Sequence, residues 1–192
     1  QVYGGQRFFE RAEVKNALAY MRLIEDADSD NAIERIINVP SRGIGDKTIE
    51  AVRLIARKHS ISLWSSIQAA LEEKLLSSRA LKSLAEFSVM ISTLKAELEG
   101  ADLADICARV IEDTGLITYH SQEPGEKGVA RRENLEELIS ACAQFSGELV
   151  FPIQDSDMAT VSPLQELLDQ VALDSGDRQK TEGPNIQLMT LH

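Results

Sequence analysis

Between residues 78 and 99 the apolar side chains Leu81, Leu84, Phe87, Ile91, Leu94 and Leu98 step three or four positions apart. That interval stacks side chains on one face of an α-helix, whereas a strand lines its faces every second residue. The run predicts a helix of about six turns, closed by Gly100 in the position where a left-handed residue ends a helix. A coiled-coil seam needs the rhythm over more turns, so the stripe reads as a face turned into a core. The same rhythm recurs through most of the chain, which confines the fold to the all-α class.

Helices are predicted over 9–26, with Val14, Leu18, Met21, Leu23 and Ile24 inward, then over 32–38, stopping before Pro40, and over 46–58. The polar turn at 26–31 is rich in capping residues. Ser62 caps a fourth helix carrying Leu63, Ile67, Ala70 and Leu71 inward, with Trp64 at its edge. Further helices are predicted over 102–114, closed by Gly115, and over 131–145. A last one runs from a capping box at Ser162-Pro163-Leu164-Gln165 to about residue 174. Loops are expected at 121–128 and 174–185, the second a plausible hinge. Strand signals are confined to residues 1–3 and to 186–191, where apolar and polar residues alternate. The sequence opens without an initiator methionine or a basic-then-apolar leader and stops inside that alternating stretch. Both ends are therefore expected to be cut edges of a longer chain.

No apolar run approaches the length that crosses a bilayer, so no membrane partner is expected. Cys107 and Cys142 lie far apart in sequence within apolar helical patterns, and His59, His120 and His192 are scattered. No metal-ligand spacing results, and the thiols read as core residues of a cytoplasmic protein. No Gly-x-x-x-x-Gly-Lys-Ser/Thr loop is present, and no nucleophile–base set can be assembled. The chain is expected to bind no cofactor and to catalyse nothing by itself.

The net charge of −11 argues at first against nucleic acid, but the charge is unevenly placed. Residues 32–60 carry six basic against three acidic side chains, a net of +3, while 133–192 carry eleven acidic against two basic, a net of −9. Local charge decides where a phosphate can sit. Within the basic stretch lies Pro40-Ser41-Arg42-Gly43-Ile44-Gly45-Asp46-Lys47-Thr48. Two short helices joined by a Gly-apolar-Gly turn have the form of a helix-hairpin-helix. Gly43 and Gly45 permit tight backbone and close approach of a phosphate, and Ile44 would close the hairpin from inside. Unpaired amides at the following helix start make an anion site, with Arg42, Lys47 and Thr48 as further donors. Asp46 opposes this if its carboxylate faces the phosphate and fits if it caps the helix sideways. A plain connection between two helices is the alternative. Lys127, Arg131 and Arg132 form a weaker second cluster, diluted by Glu126 and Glu133.

Three segments together resemble the UvrD/PcrA/Rep group of superfamily-1 DNA helicases, nearest to its UvrD members. Tyr3-Gly4-Gly5-Gln6-Arg7-Phe8-Phe9-Glu10-Arg11-Ala12-Glu13-Val14-Lys15-Asn16 is similar to the segment by which the second RecA-like domain leads into its insertion. Val14 and Asn16 stand there where isoleucine and aspartate are common. Residues 42–48 match the Gly-Ile-Gly hairpin, and 186–192 look like the opening of motif V. The resemblance implies an edge of the RecA-like 2A domain and a connecting helix over 1–24, a helical 2B accessory domain over 25–177, and a hinge with the first motif V strand over 178–192. It implies strand remnants of 2A at both ends, and contact of 2B with duplex DNA at a single-strand/duplex junction. It also implies contact with the helicase core domains, and self-association or repair proteins as further partners. The parent would be an ATP-dependent 3′–5′ helicase of repair or replication, with ATP and Mg²⁺ held elsewhere. Thr190 and His192 match motif V positions that contact single-stranded DNA. A protein-interaction or autoinhibitory module, using the acidic C-terminal part, is the other functional reading.

Overall fold

A computed structural model describes residues 6–148 and 161–174, and among these every regular element is a helix. In chain order they are α1 (Gln6–Phe9), α2 (Ala12–Glu25), α3 (Asp30–Ile36), α4 (Asp46–His59), α5 (Leu63–Glu72), α6 (Ser78–Glu97), α7 (Leu103–Asp113), α8 (Leu116–Ser121), α9 (Glu126–Glu148) and α10 (Pro163–Asp174). The expected terminal strands and the 174–185 loop lie outside the described residues, apart from Asp174 itself.

Helix α2 is the axis. Glu13, Val14, Ala17, Leu18, Ala19, Tyr20, Met21, Leu23 and Ile24 are all buried, so nearly its whole circumference is covered. Its polar Lys15, Asn16, Arg22 and Glu25 are only half-buried, and α3, α6, α7, α9 and α10 pack around the rest. The segment expected to lead in from a neighbouring domain thus supplies the centre of the helical body. It differs from the expectation in starting at Ala12, because Arg11 is extended at the N-cap position and separates α2 from α1.

The caps follow the side-chain chemistry. Ser62 accepts from the Ser65 amide, Ser77 from Ala80 and Asp102 from Asp105, each satisfying an amide that the first helical turn leaves open. Asp30, in the first turn of α3, also accepts from the Leu63 amide at 2.8 Å, so it caps α5 as well. Ser162 accepts from the Gln165 amide at 3.0 Å and donates to Glu25 at 2.8 Å, tying α10 to the end of α2. On α6, Leu84, Phe87, Ile91 and Leu94 are buried, as is Leu98 at its C-cap, while Leu81 is only half-buried. Cys107 and Cys142 are both buried where α7 meets α9. The Cys142 thiol and burial push the Cys107 thiol well up, which keeps it protonated and unreactive.

Two differences from the sequence reading fall between residues 114 and 131. Gly115, with φ +78, closes α7, but the chain at once forms α8, a helix too short for periodicity to reveal. Helix α9 begins at Glu126, five residues before the expected start at 131, so Gly128 is helical and buried. A Cβ on Gly128 would stand 2.4 Å from the Glu123 carbonyl oxygen and 2.7 Å from that of His120. The missing side chain is what lets α9 start against the end of α8.

Candidate nucleic-acid interface

Helix α3 ends at Ile36 and α4 begins at Asp46, two residues earlier and as expected, respectively. Between them Tyr20, on the central helix, donates its hydroxyl to the Val39 carbonyl at 2.7 Å. Burial pushes that phenol far up, with Arg42 beside it acting in the opposite direction, so it stays a donor. Asn38 then folds the chain over its own side chain, whose Oδ1 accepts from the amides of Arg42 at 2.8 Å and Ile44 at 3.3 Å. Gly43 has φ +74, a left-handed conformation in which a side chain is strained. Ile44 is fully buried, and Gly45 is extended at the N-cap of α4.

The amides therefore divide into two sets. Those of Arg42 and Ile44 are satisfied from within. Those of Gly45, Asp46 and Lys47 open α4 with no partner among the described residues; the helix's first bonds come from Thr48 and Ile49 to the Gly45 carbonyl. Gly45, Asp46 and Lys47 are exposed, Thr48 is half-buried, and a Cβ on Gly45 would meet nothing within 4 Å. The result is a helix start with bare amides, an open approach and one lysine beside it. The Asp46 carboxylate caps none of these amides, so its charge stands beside them unneutralised.

Arg42 differs from its expectation as a donor next to the turn. Its guanidinium is directed inward, giving hydrogen bonds to the Pro40 and Thr114 carbonyls, both at 2.9 Å. It also lies over the rings of Tyr20 and Phe87, 5.6 and 6.0 Å from their centroids. Two carbonyls and two π-faces offer a planar cation more than water does at a half-buried position. The other arginines of the basic stretch stay at the surface but are engaged there. Arg35 donates to the Ala12 carbonyl at 3.3 Å, Arg53 pairs with Glu34 and Glu50, and Arg57 lies 4.0 Å from Glu50. Lys47 and Lys58 form no ion pair among the described residues.

The second cluster comes apart. Arg131 is half-buried between Glu13, at 3.6 Å, and Glu123, so it ties α9 to α2 and to the end of α8 rather than facing solvent. Asn134 adds a 2.6 Å hydrogen bond to Glu13, and the buried His120 meets Glu123 at 2.7 Å. Arg132 is exposed and pairs with Glu136 at 3.6 Å, and Lys127 is exposed at the start of α9 with no ion pair among the described residues. Thr190 and His192 lie outside the described residues. His120 and then Arg131 hold the Glu123 carboxyl below its ordinary value of 4.5. A carboxyl lowered in the folded state stabilises above its ordinary value, and that contribution disappears as pH falls through the lowered one. Glu123→Gln is therefore expected to be less stable than the parent at pH 7, with the difference shrinking as pH falls through the lowered value, as denaturation at a series of pH values would read.

Sequence reading missed Asn38 and Tyr20. An asparagine just after an apolar helical run and four residues before Arg42 was a legible signal for a side-chain-bonded turn; Tyr20 carried none. No group of three or more potential ligands that could hold a metal occurs among the described residues. No described helix is long and apolar enough to cross a membrane.

The description of the UvrD-like helicase C-terminal domain matches residues 1–192. DNA helicase II of Escherichia coli (strain K12) is 45% identical, the match covering all of this chain and 26% of that protein. ATP-dependent DNA helicase UvrD1 of Mycobacterium tuberculosis (strain ATCC 25618 / H37Rv) is 30% identical over the same shares. ATP-dependent DNA helicase PcrA of Staphylococcus epidermidis is 29% identical over 98% of this chain and 25% of that protein. The chain spans about a quarter of the length of these relatives. Matched from its first residue to its last, it belongs to the UvrD-like helicase C-terminal domain family.

Proposed function

We propose that the segment expected over 25–177, packed on the preceding helix α2, is the 2B-type accessory domain of a longer ATP-dependent 3′–5′ DNA helicase. That helicase would act in repair or replication in the cytoplasm. ATP and Mg²⁺ belong to its other domains, and the chain's partners are those core domains, duplex DNA at a single-strand/duplex junction, and self-association or repair proteins. Its contribution is to hold the sugar-phosphate backbone without reading sequence.

One observation carries the reading: three amides at the exposed start of α4 with no partner among the described residues, and no described atom within 4 Å of a Cβ placed on Gly45. A phosphate there receives N–H bonds along the helix axis and meets the positive end of the helix dipole. The Lys47 ammonium and Thr48 hydroxyl are the adjacent donors, and Arg42 acts from behind by holding the turn. Because amides see only phosphate, every duplex sequence should bind alike.

Lys47→Ala in the full-length parent tests this. Duplex affinity should fall for all sequences equally, and the slope of log K against log salt should become shallower by about 0.9, one phosphate contact. An unchanged slope would remove the lysine, and the reading with it, from the interface. Asp46→Asn should act oppositely. Removing a negative charge beside the anion site is expected to tighten duplex binding about two- to fivefold, while costing α4 about 0.3–1 kcal/mol of favourable dipole interaction. Equilibrium binding and a thermal melt of the same variant check both signs.

A further inference from the structure

Arg42 is turned inward and Arg53 is held by Glu34 and Glu50, so Lys47 is the cation adjacent to the α4 start. Helix α6 runs beside that turn, and three contacts fix which of its faces does so. The Ser83 hydroxyl lies 3.6 Å from where a side chain on Gly43 would begin. The Phe87 ring lies under the Arg42 guanidinium, and the Met90 sulfur is 3.7 Å from Arg42 Nη2. Positions 83, 87 and 90 are one helical stripe.

The next position of that stripe toward the helix start is Arg79, four residues before Ser83. It stands about 6 Å further along the α6 axis. Arg79 is exposed and forms no ion pair among the described residues. Lys82, by contrast, sits a quarter-turn round the helix and is paired with Glu86 at 3.9 Å. We propose that Arg79 is a second backbone-binding residue, engaging a phosphate of the duplex next to the one held at the α4 start. The inference rests on the reading of the α4 start as a phosphate site and extends that site across the turn onto α6. Sign and position both favour this occupant: an exposed guanidinium with no ion pair among the described residues, able to grip two phosphate oxygens at once, aligned with the residues that pack on the glycine turn.

The test uses the full-length parent and a duplex with a 3′ single-stranded tail, without nucleotide, titrated over a range of salt. Arg79→Ala, Lys82→Ala and Lys47→Ala are compared, with thermal melts to show that each variant folds. Arg79→Ala is expected to weaken binding about five- to tenfold near 0.1 M salt and to make the salt slope shallower by about 0.9. Lys82→Ala should change the slope by much less. If Lys47→Ala lowers affinity and slope while Arg79→Ala changes neither, the Arg79 assignment is overturned and the α4 site stands. Equal losses for Arg79→Ala and Lys82→Ala also overturn it, since diffuse charge would then account for both. If neither Lys47→Ala nor Arg79→Ala alters binding, the α4 reading fails together with its extension.

Discussion

Gly128→Ala is expected to lower the stability of the helical body by about 3 kcal/mol, at the upper end of the range for overpacked sites. The added carbon would begin 2.4 and 2.7 Å from two backbone carbonyl oxygens, those of Glu123 and His120. Neither can rotate away as a side chain could, so α9 must move off the end of α8. That movement opens the contacts of Arg131 and Asn134 with Glu13, the polar link between α9 and the central helix. On an exposed helix the same change would stabilise by up to about 1 kcal/mol through propensity, so even the sign is informative. Chemical denaturation of the parent and variant reads it. A variant as stable as the parent, or more so, contradicts the close approach of α8 and α9.

The second large effect is expected at Arg42. Arg42→Ala strips the Pro40 and Thr114 carbonyls of their donor and removes a cation from the faces of Tyr20 and Phe87. Hydrogen bonds to a charged group contribute about 1.5–3 kcal/mol, and a ring contact about 0.5–1 kcal/mol more. Half-burial lets water replace part of this, so a net loss of about 2–3 kcal/mol is expected. Arg42→Lys should recover little, because one ammonium cannot reach two carbonyls with a planar fork. Tyr20→Phe, which loses the bond to Val39, should cost about 1 kcal/mol. Denaturation midpoints order the three variants. The DNA readout separates the roles of the residue: a positioning Arg42 weakens binding with the salt slope unchanged, whereas a phosphate-contacting one makes the slope shallower.

These two positions also mark where the sequence stopped being informative. The apolar stripe of α6, the caps at Ser62 and Ser162 and the closing glycines at 100 and 115 are local patterns, and the helices they define stand near their expected bounds. Helix α8 is six residues long, which is under two turns and too few to establish a period. Gly125 and Gly128 look alike in a sequence, yet the first has φ +77 and ends a turn while the second serves a close approach within a helix. At the candidate site the glycine turn is local and was legible. The direction of a cation is not local. Arg42 points inward because Thr114 and Phe87 arrive from distant segments, and Arg131 because Glu13 does. Counting charges along 32–60 therefore could not show that Arg42 is turned inward or that Arg53 is held by Glu34, while Arg35, Lys47, Arg57 and Lys58 remain exposed.

The claim that a phosphate seats against the bare amides of α4 is tested most directly at Gly45, where the effects on folding and on binding have opposite signs. Aspartate is as good an N-cap as any residue, a few tenths of a kcal/mol better than glycine, and the space beyond Gly45 is open. In Gly45→Asp the carboxylate would take the place of the phosphate. The expected result is a melting temperature equal to or above the parent's, together with a loss of duplex affinity of about tenfold or more. A variant that folds as well as the parent and binds duplex DNA equally tightly would contradict the assignment.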